Sequence, residues 1–286
     1  MSAMVRAGAA AFTDDGATVA DEAVMRAAME TAARLKAPVM DHALDPSLAG
    51  RGVMHLGRFS ESLGLPGIPS DAEVSIVERD IRLARETGAR VHLQHLSAAG
   101  SVEAVGRARA RGEAVSAEAT PHHLTLCDED VRPDRADGFK MSPPLGGRDD
   151  RDSLLAAVAD GTVTVLATDH APHVAADKAR GFRDAPFGVV GLETAVGVTF
   201  TALVKSGKMS LLEWVRRWTV GPADVLGVPR PALAPGAVAD VTVLDLGSEW
   251  VVDPGRFLSR GRNTPFAGWR LTGRCECTFL AGEMVR

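Results

Sequence analysis

RVHLQHLSAAGSVEAVGRARARGEAVSAEATPHH, residues 90–123, is the stretch that decides the fold. Residues 90–96 read as a strand, 101–111 as a helix and 115–119 as a second strand. That strand runs into Thr120, Pro121, His122 and His123. Arg107, Arg109 and Arg111 alternate with Ala and Gly, as on the solvated side of a helix and its exit turn. Two apolar strands joined by a helical crossover form the repeating unit of a parallel sheet. Near-continuous apolar strands are what helices on the sheet faces require.

The same alternation extends in both directions. Upstream, a strand at 9–12 ends in Thr13, Asp14, Asp15 and Gly16. A helix over 21–35 has apolar positions at Val24, Met25, Ala28, Met29 and Ala32, and a strand at 38–40 ends in Asp41 and His42. Residues 43–70 are loop-like, rich in Gly and Pro, and include His55; a strong helix follows over 71–87. Downstream, a helix over 151–160 leads to a strand at 163–167 that ends in Thr168 and Asp169. Helices follow at 193–205 and 211–217, the second with Ser210 and Glu213 spaced as a capping box. Five strands with helical crossovers give an α/β fold. They do not close an eight-stranded barrel, so an open five-stranded sheet competes with an incomplete barrel. With no strand before residue 9, the chain reads as entered part-way through a packed alternation.

After Pro231 the texture changes. Short apolar runs at 238–244, 250–252, 269–271 and 275–280 are separated by Gly-containing turns, without helices. The expected organisation is a barrel-like domain over 1–230 and a small β-sandwich segment over 231–286.

Bulk properties narrow the function. The 286 residues, 45% hydrophobic, are enough to bury a real core. Thirty-two Lys and Arg against 37 Asp and Glu leave a net charge of −5, which argues against a nucleic-acid partner. Cys127, Cys275 and Cys277 form no disulfide framework, and reducing, cytoplasmic surroundings fit best. No run approaches the ~18 uncharged apolar residues of a membrane span.

Asp15, His42, His95 and Asp169 each fall at or just beyond the carboxyl end of an expected strand. In a parallel sheet those ends face one way, and such folds place their chemistry there. Two imidazoles and two carboxylates suit a borderline-soft ion such as zinc. A single His after a strand is more often a hydrogen-bonded loop residue; four suitable ligands at four strand ends are harder to dismiss. His92 should face the opposite side from His95, and His55 lacks a strand context, so both read as structural. Of His122 and His123, a site role and a capping or packing role stay equally open. Asp14 should point away from Asp15 and hold the loop. In the run 167–173, ATDHAPH, Asp169 is placed to bind a metal or shuttle a proton, and His173 to meet an anionic substrate. Phe187 and Gly188 follow, with an unencumbered backbone that could hydrogen-bond a flat ring.

These residues resemble the dihydroorotases of the longer bacterial type, within the cyclic amidohydrolases. The matching runs are AFTDDG from Ala11, HLQHLS from His92, AEATPHHLTL from Ala117, FKMSPPLG from Phe139, VLATDHAPH from Val165 and PFGVVGLET from Pro186. In the β appendage, GAVADVTVLD from Gly236 and RGRNTPFAGW from Arg260 also match. The resemblance covers nearly the whole chain. It implies an incomplete (β/α)8 barrel of the metal-dependent hydrolase type and zinc-dependent ring closure and opening of dihydroorotate. It implies metal ligands at Asp15, His42, His95 and Asp169, with Asp169 as the general base. Ser142, His173, Phe187 and Gly188 fall at substrate contacts. The intervals of 27, 53 and 74 between Asp15, His42, His95 and Asp169 select Asp15 over Asp14.

Departures keep other readings open. The family's opening His-x-His-x-Arg, which holds another zinc and the substrate carboxylate, has no counterpart in this sequence, so at most one metal is expected. Ser142 stands where the family has a substrate-contacting asparagine, and the acidic residue expected soon after His42 is replaced in His42-Ala43-Leu44-Asp45. The competing expectations are a noncatalytic subunit partnering aspartate transcarbamoylase and a hydantoinase- or allantoinase-like enzyme. A homodimer and a small-molecule substrate are the other partners expected.

Overall fold

The apolar runs at the strand positions come together as one parallel sheet. The computed structural model describes residues 1–285, so Arg286, the last position of the expected 231–286 segment, lies outside the described residues. The strands are β1 (Phe12–Thr13), β2 (Val39–Asp41), β3 (Met54–His55), β4 (Gly67–Ile68), β5 (Val91–Leu93), β6 (Val115–Ala119), β7 (Val165–Leu166), β8 (Val241–Val251), β9 (Arg270–Leu280) and β10 (Glu283–Met284). The main sheet has the order β1-β2-β5-β6-β7. Its registers include Phe12↔Val39, Val39↔Val91, Val91↔Val115 and Glu118↔Val165, all parallel. Among the described residues β1 and β7 do not pair, so this is a partial, unclosed barrel.

Helices cover the sheet as the 3.6-residue pattern demands. Glu22–Leu35 is capped by Asp21, whose carboxylate accepts from Ala23 N and Val24 N. It buries Met25, Met29 and Ala32; the apolar Val24 is exposed. Asp71–Thr87 buries Ile76, Val77, Ile81 and Leu83. These meet Val39, Val91, Leu93 and Val115 from the strands in one core. The expected helix over 193–205 is Ala195–Thr199 continued by a π-helix over Phe200–Lys205. At that junction Thr199 Oγ1 donates to Ala195 O and accepts from the indoles of Trp214 and Trp218.

Two expectations are corrected. Residues 43–70 are not merely loop. Pro46–Ala49 is a helix capped by Asp45 with Pro in its first turn, and Arg58–Leu63 is another. β3, between these helices, pairs in parallel with β4, which follows the second. A Cβ at Gly67 would lie 2.5 Å from Leu56 Cα, so that close approach needs glycine. In the C-terminal part, four short strands were expected. Instead β8 and β9 run 11 residues each, antiparallel, with irregularities between Val243 and Leu244 and between Asp245 and Glu249. Asp245 Oδ1 accepts from Gly247 N and Ser248 N at one irregularity, and Gly273 takes a positive φ in β9. Gly positions that look like turns therefore sit inside bulged strands. With β10 the strands form one three-stranded sheet.

A second core joins this C-terminal part to the loops beyond the barrel strands. It contains Met54, Leu126, Met141, Val189 and Val190 together with Val252, Phe257, Phe266 and Leu271. Among the described residues no helix is long and apolar enough to cross a membrane.

Candidate active site

Four of the five strands of the main sheet end by handing a polar residue to one rim. β1 leads to Asp14 and Asp15, β2 to His42, β5 to His95 and β7 to Asp169. Asp14 faces away from Asp15. Its carboxylate accepts from Val19 N at 2.7 Å and His42 N at 3.0 Å, tying the first loop to the second. Thr18 Oγ1 donates to His42 O and accepts from Leu44 N. Below lies Asp41, fully buried; burial first, then Asp80 and Asp14, push its carboxyl well above the ordinary carboxylate range. Arg79 pairs with Asp80 at 2.7 Å.

His95 and Asp169 have φ of +32° and +47°, in a region that non-glycine residues seldom enter. The strain is held by neighbours. His95 N donates to Glu118 Oε1 at 3.3 Å, and Glu118 Oε2 meets His92 Nε2 at 2.9 Å. The next turn is fixed by Glu73, 3% exposed, which accepts from Ser97 N, Ser97 Oγ and Ala98 N. Ala99 N, at the start of the following helix, donates to Asp150 Oδ1. That helix has no cap of its own, and distant carboxylates supply one.

Asp15, His42 and His95 converge, with one ligand atom from each within 4.8 Å of the others. His42 Nδ1 lies 2.9 Å from His95 Nε2 and 3.4 Å from Asp15 Oδ1; His95 Nε2 lies 3.9 Å from Asp15 Oδ1. A tetrahedral ion with bonds of about 2.0–2.1 Å holds its ligands about 3.3–3.4 Å apart; the three separations bracket that value, and the N,N,O donor set suits a zinc-class ion. One cost accompanies that fit. With Nε2 given to a metal, the His95 proton would sit on Nδ1, which is buried without a partner. The histidines hold the Asp15 carboxyl well below the usual carboxylate range, His42 foremost. Burial opposes a charged His95, yet Asp15, Asp169 and Glu118 outweigh it and push that imidazole up to about 9.

Asp169 stands outside the three-ligand group, with Oδ2 3.6 Å from His122 Nε2. Burial raises its carboxyl above the ordinary range, while His95 and His42 pull it back. His122 is 1% exposed, and burial first, then His123 and His95, holds it well below its ordinary value. His123 has a different task. Its Nε2 donates to Pro143 O at 3.0 Å, so Nδ1 accepts from Thr120 Oγ1, and burial lowers it to about 3. That bond fixes the turn carrying Ser142, whose Oγ is 3.5 Å from His42 Nε2.

His173, Phe187 and Gly188 form a separate group. His173 Nε2 donates to Phe187 O at 2.7 Å. Most of the backbone expected to be open is already bonded within the chain. Phe187 O, Gly188 N and Gly188 O all have partners, namely His173, Lys140 O, and the side chains of Lys178 and Asn263. What remains presented is the Phe187 ring, with Lys140 Nζ 4.6 Å above it. Gly188, at φ +120°, fits because a Cβ would lie 2.5 Å from Ala171 Cβ.

Sequence reasoning passed over Glu73, Glu118, Lys178 and Asn263, all buried. A signal existed for Glu118, since a carboxylate inside an apolar central strand is seldom buried unpaired. His55, read as structural, bridges Asp128 and Ser70 at 3.1 Å each.

The Amidohydrolase family model matches residues 2–285. The dihydroorotase of Geobacillus sp. (strain WCH70) is 46% identical over 284 residues, 99% of this chain and 66% of the relative. That of Pelotomaculum thermopropionicum is 48% identical over 289 residues, 100% of this chain and 66% of the relative. The chain thus spans slightly under two-thirds of the length of these relatives. Among solved structures, the dihydropyrimidinase of Brevibacillus agri superposes with a TM-score of 0.87 at 23% identity, covering 99% of this chain and 65% of the other. The L-hydantoinase of Arthrobacter aurescens gives 0.86 at 24%, covering 99% and 66%. These two likenesses establish the fold.

Proposed function

The chain belongs to the amidohydrolase family, and from that premise we propose that it carries dihydroorotase chemistry, the reversible hydrolysis of (S)-dihydroorotate to N-carbamoyl-L-aspartate. The observation that carries the reading is the 45–48% identity to dihydroorotases over nearly the whole chain. The clustering of Asp15, His42 and His95 beside Asp169 supports it chemically.

Asp15, His42 and His95 would hold one zinc-class ion. Such an ion, when bound, supplies Lewis-acid polarisation of the ring amide carbonyl. Asp169 is the proton carrier: it takes a proton from the attacking water and passes it to the leaving ring nitrogen. Burial raises its carboxyl, which eases the switch from base to acid. His122 is held low by burial, so a neutral imidazole faces Asp169 and does not compete as a cation. His173 and Phe187 form the wall that meets the substrate ring, and Ser142 approaches from the His42 side.

The test is metal content by elemental analysis on protein purified without chelator, followed by dihydroorotate turnover. The expected result is about one ion per chain, lost in His95→Ala, with turnover that follows the metal. Well-folded protein that binds no metal would sink the reading. Turnover of a hydantoin but not of dihydroorotate would move the chain to a neighbouring cyclic amidohydrolase.

A further inference from the structure

Asn263 lies in RGRNTPFAGW, a run whose match to the family leaves its physical task open. Its side chain is 3% exposed, and every hydrogen-bonding group on it is committed to backbone of the two loops beside the site. Nδ2 donates to Ala171 O at 3.0 Å and to Gly188 O at 3.1 Å. Oδ1 accepts from His173 N at 3.1 Å. The amide orientation is forced, because carbonyls only accept and an N–H only donates. Asn263 O also accepts from Val190 N at 2.7 Å. One residue thus bonds to 171, 173, 188 and 190, adding to the direct links between the loops: Ala171 N to Val189 O, His173 Nε2 to Phe187 O, Gly191 N to His170 Nδ1 and the parallel bridge between His170 and Val189.

Lys178 acts from the other side. It is 4% exposed, and its ammonium donates to Pro186 O at 3.0 Å, Gly188 O at 2.9 Å and Lys140 O at 3.4 Å. A buried ammonium is costly unless its donors are met. Three carbonyls accept from it here. Gly188 O therefore receives both side chains at once. Space is tight around the joint: a Cβ at Gly261 would lie 2.8 Å from both Asn263 Oδ1 and Pro172 Cβ.

We propose that Asn263 and Lys178 are positioning residues. Together they clamp the loops 170–174 and 186–190, so that the His173 imidazole and the Phe187 ring form one rigid wall of the substrate site. The proposal rests on the reading of His173 and Phe187 as substrate contacts. In it the C-terminal segment takes part in recognition by holding the wall, without touching substrate.

The decisive measurement is amide hydrogen exchange on Asn263→Ala, resolved by residue. The reporters are Ala171 N and Gly188 N, which bond Val189 O and Lys140 O and not Asn263. Both are expected to exchange about tenfold faster, while amides of β5 and β9 stay unchanged. With dihydroorotate, KM should rise about tenfold and kcat stay within about twofold, because uniform binding is lost. Unchanged exchange at both reporters overturns the clamp. Equal acceleration through β9 overturns it too, since Asn263 would then only dock the C-terminal sheet. If Asn263→Ala does not fold, Asn263→Asp and Lys178→Met decide. Asn263→Asp keeps the acceptor for His173 N and loses both donors, so faster exchange at Gly188 is expected. Lys178→Met should speed Gly188 N exchange, with slower or unchanged exchange overturning the proposal. If wild-type chain turns over no dihydroorotate, the exchange results still decide the clamp, and only the functional reading falls.

Discussion

The two halves of the site are held in opposite ways. Around Asp15, His42 and His95 the ligand atoms point at one another, His95 Nδ1 has no partner, and the backbone at His95 is in left-handed territory. Around His173, Phe187 and Gly188 nearly every polar group is satisfied by another part of the chain. Titratable groups that converge mainly on one another, with a buried nitrogen left over, are poised for a ligand. Polar groups saturated by backbone fix a shape. The first group is built to bind, the second to stay still.

That contrast can be broken by mutation. The largest effect is expected for Asp169→Asn: wherever dihydroorotate turnover is measurable, kcat falls about 10²–10⁴-fold. Its melting temperature should not drop, because burial works against the charged carboxyl that is removed. Near-normal kcat in that variant would break the assignment. Glu73→Ala should cost about 2–4 kcal/mol in denaturant unfolding, since it strands the donors of Ser97 and Ala98 in the core. The same variant should weaken metal retention, because those donors set the turn after His95. Gly188→Ala, at φ +120° with a crowded Cβ, should cost about 1–3 kcal/mol and raise KM. Stability equal to wild type would show that the second group is softer than described. The smallest effect is chemical. Burial, then Asp130, pushes the Cys127 thiol up to about 12, so iodoacetamide should label Cys275 and Cys277 well before Cys127 in folded protein. Equal rates would show that the segment around Cys127 opens readily.

Much of this was legible in advance. The period-2 and period-3.6 patterns place the five barrel strands and the helices over Glu22–Leu35 and Asp71–Thr87 close to where they form. Asp15, His42 and His95 were legible because a strand's end dictates where its next residue points. The short helix at Pro46–Ala49 was legible too, through Asp45 and Pro46, but its four residues carry too little periodicity to stand out. The continuity of β8 and β9 was not, because a bulge glycine and a turn glycine look alike in sequence.

What the sequence determined by itself was the parallel α/β alternation, the C-terminal change to β structure without helices, and the placing of Asp15, His42, His95 and Asp169 at strand ends. Each follows from signals confined to a few neighbouring residues. What only the tertiary structure decided was which groups are satisfied and by whom. Glu73 reaches Ser97 across 24 positions, and Asn263 reaches His173 and Ala171 across 90 and 92. A buried donor or acceptor takes whichever partner packing brings within about 3 Å, and local pattern carries no record of segments so distant in the chain.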